Sequence, residues 1–153
     1  MKVSLVISFF FSFLAFSAVA AENKQQATFA LGCFWSAQTS FAELRGVDKV
    51  VAGYSGGAKQ RPSYDDVSTG NTGHAETVDI VFDPKKISYS DLVGVFFSIH
   101  DPTTLNRQGA DVGTQYRSII LTTTDEQKKA AEKVKKLVND SGTWKKPVVT
   151  EIV

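Results

Sequence analysis

AETVDIVFDPKKISYSDLVGVFFSIH, residues 75–100, carries two different periodicities in one run. From Ala75 to Phe82 the pattern alternates, with Val78, Ile80 and Phe82 on one face, which predicts a strand that Asp83-Pro84 ends. Ser88 with Asp91 then resembles a capping box, and Leu92, Val93, Phe96, Phe97 and His100 follow at helical spacing until Asp101-Pro102. Upstream, Ala27 to Gly32 reads as a short buried strand. Cys33 to Leu44 reads as a helix, with Phe34, Ala37, Phe41 and Leu44 recurring at three and four. Val47 to Ala52 is a second strand, broken by Gly53, Gly56 and Gly57. The polar stretch from Ala58 to His74 has no periodicity and reads as a long loop, a kind of segment that often carries function. Downstream, Thr103 to Thr114 is a second polar loop and Tyr116 to Leu121 a fourth strand. Thr124 with Gln127 opens a helix whose apolar positions are Ala130, Ala131, Val134, Leu137 and Val138, and Pro147 precedes a last strand, Val148 to Val153. The order is β-α-β-β-α-β, then α-β. Its first six elements match the ferredoxin-like order, so the expected class is α/β of the α+β kind: a two-layer sandwich followed by one more helix and strand.

The length of 153 residues suggests one folded domain. Seventeen Lys and Arg against sixteen Asp and Glu give a charge of +1, which supplies no electrostatic case for a nucleic-acid partner. Hydrophobic residues at 42% and charged residues at 22% fit a globular chain. One cysteine excludes a disulfide within this sequence and any multi-cysteine zinc site, and two histidines leave few metal ligands, so no metal is expected. A monomer is expected. The first residues stand apart. Lys2 precedes an apolar run from Val3 to Phe16, and Ala18 and Ala20 supply a small-x-small cleavage pattern. The expected division is a secretory signal over residues 1–20 and a domain over 21–153, exported to the periplasm or secreted. An uncleaved anchor needs about 20 apolar residues, a length this run reaches only by counting its serines.

Cys33 falls where a strand ends and a helix begins. Free N–H groups at a helix N-terminus favour a thiolate, yet a lone cysteine is also often a small buried hydrophobe. Phe34 and Trp35 follow directly; they form either an apolar wall beside the sulfur or part of the core.

These residues carry a resemblance. Gly32-Cys33-Phe34-Trp35 resembles the active-site signature of the peptide methionine sulfoxide reductases of the A type. Gly53-Tyr54-Ser55-Gly56-Gly57, Pro62-Ser63-Tyr64, Gly73-His74-Ala75-Glu76, His100-Asp101-Pro102-Thr103, Asn106-Arg107-Gln108-Gly109 and the run from Asp111 to Ser118 fit the same pattern in order, from about Ala27 to Ile152. The resemblance implies reduction of the S-epimer of methionine sulfoxide, free or in a peptide, and hence repair of oxidised proteins. It implies Cys33 as nucleophile and Glu76 as the acid that protonates the sulfoxide oxygen. Tyr64 and Tyr116 would hold that oxygen, Asp111 would be a supporting polar residue, and Phe34 and Trp35 would receive the S-methyl group. The assignment is chemically coherent. A sulfoxide sulfur becomes electrophilic when its oxygen gains a proton, and a glutamate supplies one near neutral pH only if burial raises its pKa.

Attack leaves Cys33 as a sulfenic acid, which many relatives resolve with a second cysteine. Ser68 stands where some relatives carry one. The expectation is a one-cysteine enzyme without bound cofactor, reduced by an external thiol: a thioredoxin-like protein, glutaredoxin or a small thiol. The sequence departs from the family at Ser36, where glycine is common, at Gln38, where glutamate is common, and at Arg61, where asparagine is frequent. It also ends before the tail that relatives usually have. Two rival readings remain in view. A peptide-binding relative without catalysis would need neither Cys33 nor Glu76. A cysteine hydrolase would need His74 or His100 as an oriented base.

Overall fold

The chain, described by a computed structural model over residues 23–153, builds its sheet from the alternating segments. The predicted signal segment lies outside the described residues. The elements are β1 (Gln25–Leu31), α1 (Phe34–Ala42), β2 (Val47–Ser55), α2 (Tyr64–Ser68), β3 (Ala75–Phe82), α3 (Tyr89–Ser98), β4 (Arg107–Gln108), β5 (Asp111–Val112), a 3₁₀ turn (Thr114–Tyr116), β6 (Ser118–Leu121), α4 (Asp125–Asp140) and β7 (Glu151–Ile152). The main sheet has the order β2-β3-β1-β6-β7. The first three pairs are antiparallel, and β7 joins β6 in parallel. The first four of these strands have the ferredoxin-like arrangement.

Alternation decides which residues meet the helices. Ala27, Phe29 and Leu31 of β1 and Val78, Ile80 and Phe82 of β3 share one core with Phe34, Ala37 and Phe41 of α1, Leu92, Val93, Phe96 and Phe97 of α3, and Ala131 of α4. Phe29 is central, its ring centroid 5.5 Å from Phe41 and 5.3 Å from Phe96. On the other face, among the described residues, Ala30, Ala75 and Ile119 form a small buried cluster. Helices α1, α3 and α4 therefore lie on one side of the sheet. Among the described residues no helix is long and apolar enough to cross a membrane.

Several boundaries differ from the sequence expectation. The stretch read as a featureless loop from Ala58 to His74 contains α2, started by a full capping box: Ser63 Oγ accepts from the Asp66 N–H, and Asp66 accepts from the Ser63 N–H. At five residues, α2 is too short to show periodicity. The second loop holds the β4–β5 hairpin. Tyr116 lies in the 3₁₀ turn before β6 instead of starting the strand, and the last strand shrinks from Val148–Val153 to two residues. The Ser88–Asp91 box forms as expected. At α4 only half a box forms: Thr124 caps the Gln127 N–H, while the Gln127 side chain reaches back to Thr123 instead.

His100 ties the end of α3 to β6. Its Nδ1 donates to the Phe96 carbonyl at 2.6 Å, so in the neutral ring Nε2 accepts, from Ser118 Oγ at 2.8 Å. Ser118 in turn bonds the buried Thr150 hydroxyl at 2.8 Å. Burial pushes the His100 pKa down to about 4 from 6.5, outweighing the Phe96 bond and the nearby Asp101 charge that act the other way. Below pH 6.5 the unfolded chain takes up a proton that the folded chain refuses until about pH 4. The stabilisation from the neutral ring is thus complete above 6.5 and lost on the way down to 4, roughly 3 kcal/mol in all. Urea unfolding midpoints measured from pH 7 to 4.5 should fall more steeply in the wild type than in His100→Asn. Parallel curves would remove His100 from the acid sensitivity.

Candidate active site

All the candidate groups converge at one end of the sheet. β1 delivers Cys33 by way of Gly32, which turns the chain at φ +100°. A Cβ on Gly32 would lie 2.6 Å from Gln108 Cγ, and Gln108 cannot easily move. Its amide is held at both ends by the Asp101 backbone, accepting from N–H at 3.2 Å and donating to the carbonyl at 3.1 Å. Gly32→Ala is therefore expected to cost about 1–3 kcal/mol through the left-handed backbone and the collision, and to displace Cys33. Urea unfolding together with methionine formation checks this; an unchanged midpoint with full activity would show that the hairpin gives way freely.

Cys33 is the N-cap of α1 and partly exposed, with no capping bond from its side chain. Of the N–H groups at this helix start, the first does not face the sulfur alone: the Phe34 N–H donates to Glu76 Oε2 at 3.0 Å. Glu76 reaches it because it belongs to the same alternating face as Val78, Ile80 and Phe82, one step beyond the core. Only 5% of Glu76 is exposed. Burial raises its pKa, the Phe34 N–H opposes that, and the Asp111 charge adds to it. The acid is thus biased toward its protonated form.

Tyr64 and Tyr116 come from segments 52 positions apart, and the bonds between those segments explain why they meet. Thr114 Oγ1 donates to the Gly70 carbonyl at 2.9 Å, and Arg117 donates to the Gly73 carbonyl at 3.0 Å and to the Thr114 carbonyl at 2.7 Å. His74 holds the start of the loop: Nδ1 accepts from the Gly57 N–H at 3.2 Å, and Nε2 donates to the Lys59 carbonyl at 2.8 Å. A side chain on Gly57 would fall 2.5 Å from the His74 backbone nitrogen, so this approach requires glycine. Arg61, where the family often has asparagine, sits at φ 50°, a conformation that asparagine tolerates better than arginine.

The resulting cavity, about 250 Å³, is lined by Cys33, Phe34, Trp35, Tyr64, Glu76, Asp111 and Tyr116. These are the seven residues singled out from the sequence. Phe34 and Trp35 stack nearly parallel, their ring centroids 6.4 Å apart, and Trp35 and Tyr64 are more than half exposed at the mouth. Asp111 is exposed in the hairpin. Burial, then the charges of Glu76, Asp111 and Tyr64, raises the Tyr116 pKa, which keeps its hydroxyl a neutral donor.

Two neighbours of the site received no role from the sequence. Tyr54 stands opposite Glu76 in the β2–β3 register and packs its ring on Phe34 at 5.4 Å. Gln108 is the clamp described above. The alternation from Val50 through Ala52 to Tyr54 could have placed Tyr54 on the Glu76 face. No local signal reveals Gln108, whose role depends on a contact with Gly32. Neither histidine lines the cavity, and both ring nitrogens of each are engaged in the bonds given above. The oriented base of a cysteine hydrolase is missing from this pair. Among the described residues no group of three or more His, Cys, Asp or Glu could hold a metal ion.

A cysteine set against a buried carboxylic acid and phenols, with no imidazole base, is suited to a thiol enzyme that gives a proton to its substrate. On a ferredoxin-like scaffold this defines a class of acid-assisted thiol oxidoreductase. Residues 25–153 match the family described as Peptide methionine sulfoxide reductase, and the chain belongs to that family. It is 52% identical over 132 residues to the Peptide methionine sulfoxide reductase MsrA of Methanosarcina acetivorans, covering 86% of this chain and 70% of the relative. It is 54% identical over 128 residues to that of Polynucleobacter asymbioticus, covering 84% and 67%. A third relative, from Methanosarcina mazei, is spanned over 63% of its length. Among solved structures, Mxr1 from Saccharomyces cerevisiae in reduced form superposes with a TM-score of 0.78 at 34% identity, covering 84% of this chain and 74% of that one. Methionine sulfoxide reductase A of Corynebacterium diphtheriae gives 0.76 at 33%, covering 84% and 64%. The yeast protein has also been solved in complex with Trx2, a likeness of fold at 24% identity and a TM-score of 0.60, covering 83% and 73%.

Proposed function

We propose that this chain reduces the S-epimer of methionine sulfoxide, free or in a peptide, through a sulfenic acid at Cys33, and that a thiol from another molecule restores the cysteine. Thiol-dependent methionine sulfoxide reduction is the activity of the family to which the chain belongs. The observation that carries the residue roles is the buried Glu76, its pKa raised, bonded to the backbone N–H that follows Cys33.

The S-methyl group enters the wall formed by Phe34 and Trp35. Tyr64 and Tyr116 donate to the sulfoxide oxygen, and Glu76 gives it a proton. Burial biases Glu76 toward the protonated form, the Phe34 N–H opposes this, and the Asp111 charge adds to it. The Cys33 thiolate attacks the sulfoxide sulfur and forms an S–S bond. The protonated oxygen passes to Cys33 sulfur as its bond to the substrate sulfur breaks, and methionine leaves with the electron pair of the S–S bond. Cys33 is thereby oxidised and the sulfoxide reduced.

Within this sequence Cys33 is the one cysteine, so the thiol that reduces the sulfenic acid comes from outside it. Mxr1, which forms a complex with Trx2, makes a thioredoxin-like protein the first reductant to test; glutaredoxin and small thiols are the others. The N-terminal pattern around Lys2, Ala18 and Ala20 supports export and cleavage near Ala20, placing the repair activity in the periplasm or outside the cell. The experiment is intact mass after mixing the protein with S-epimer methionine sulfoxide and no reductant. A gain of about one oxygen on Cys33, matched by methionine, supports the reading. Folded protein with a free thiol, unchanged mass and no methionine would reject it in favour of a binding relative.

A further inference from the structure

Cys33 lines a second cavity, of about 140 Å³, which shares only Cys33 and Asp111 with the first. Its other walls include Ser36, Ala37 and Ser40 of α1, with Ile99 and Gln108. The two spaces meet at Cys33 and Asp111 and otherwise use different residues of α1. At about 100° per residue, Ser36, Ala37 and Ser40 share a face with Cys33, while Trp35 points away from that face. The aromatic wall and the serine wall thus flank the sulfur on different sides of the first turns of α1. The serine cavity is several times the roughly 30 Å³ share of one liquid water, enough for a thiol group and too small for a peptide.

We propose that this serine-lined cavity is the port through which the reducing thiol reaches oxidised Cys33. The proposal rests on the sulfenic acid reading above. In that intermediate the hydroxyl arises in the aromatic cavity, beside Glu76 and the phenols. Displacement at sulfur requires the incoming sulfur to approach opposite the departing oxygen. A thiol entering through the aromatic cavity would meet the oxygen first; one entering along Ser36 and Ser40 meets the sulfur from its other flank. The incoming thiolate forms the S–S bond as the S–O bond breaks, and the hydroxide leaves as water after taking a proton. A second external thiolate then attacks the partner's sulfur in the mixed disulfide. Two thiols become one disulfide and Cys33 returns to thiolate.

The two half-reactions separate the test. Ser40→Trp and Ser36→Phe each fill the second cavity without touching the aromatic one. Without reductant, both variants should release one methionine per chain at close to the wild-type rate. Reduction of the preformed sulfenic acid by dithiothreitol, followed by quenched mass spectrometry, should then slow by about tenfold or more. A rate within about twofold of the wild type in both variants would overturn the port, as would equal loss of both half-reactions in both variants. Should Ser40→Trp not fold, Ser36→Phe, at an exposed position, decides the matter. Absence of the methionine burst in the wild type would instead reject the sulfenic acid reading itself.

Discussion

Cys33→Ser is expected to abolish both methionine release and the mass gain, with the fold intact. A serine hydroxyl is a far weaker nucleophile than a thiolate near neutral pH, and neither histidine is placed to take its proton. Burial biases Glu76 toward its protonated form, and the histidines are engaged elsewhere. The substitution removes one partly exposed sulfur at the N-cap of α1, where the side chain makes no capping bond. Stability should therefore change little, and urea unfolding separates lost chemistry from lost structure. Residual turnover above background would show that another group attacks the sulfoxide.

Glu76→Gln is expected to slow the first half-reaction by about 10²–10⁴. The amide keeps an acceptor for the Phe34 N–H and is close in shape, but it cannot deliver a proton. The pH dependence supplies a second reading. In the wild type the half-reaction should fall as pH rises through the elevated pKa of Glu76, and the glutamine variant should lose that limb. Stability should follow the same group. A folded pKa above the ordinary 4.5 means that Glu76 contributes stability when protonated, present below 4.5 and lost as pH rises through the folded value. The difference in unfolding free energy between wild type and Glu76→Gln should thus turn against the wild type with rising pH. A single-turnover rate in the variant close to that of the wild type would remove Glu76 from proton transfer.

Much of the scaffold was legible because its elements are long enough to repeat. The alternation of Val78, Ile80 and Phe82 and the helical spacing of Leu92, Val93, Phe96 and Phe97 each express one face buried against the same core. The five-residue α2 and the two-residue β4, β5 and β7 leave no such trace, since they are held by caps and distant backbone partners. Tyr64 shows the consequence: it stands within a stretch without periodicity, and Thr114, Gln115 and Arg117 carry its loop to the cavity.

By itself, the sequence determined the ferredoxin-like order, the single thiol, and the presence of Glu76 one alternation beyond Val78. Those follow from local pattern and composition, which need no knowledge of what lies across the fold. The seven cavity residues could be named from the resemblance, but not joined by distance. Only the tertiary structure decided that the Phe34 N–H serves Glu76 and that Gln108 closes on Gly32. It also decided that a second cavity flanks Cys33. Each of these depends on contacts between segments far apart in the chain, and burial, which sets the protonation of Glu76 and His100, exists only once those segments meet.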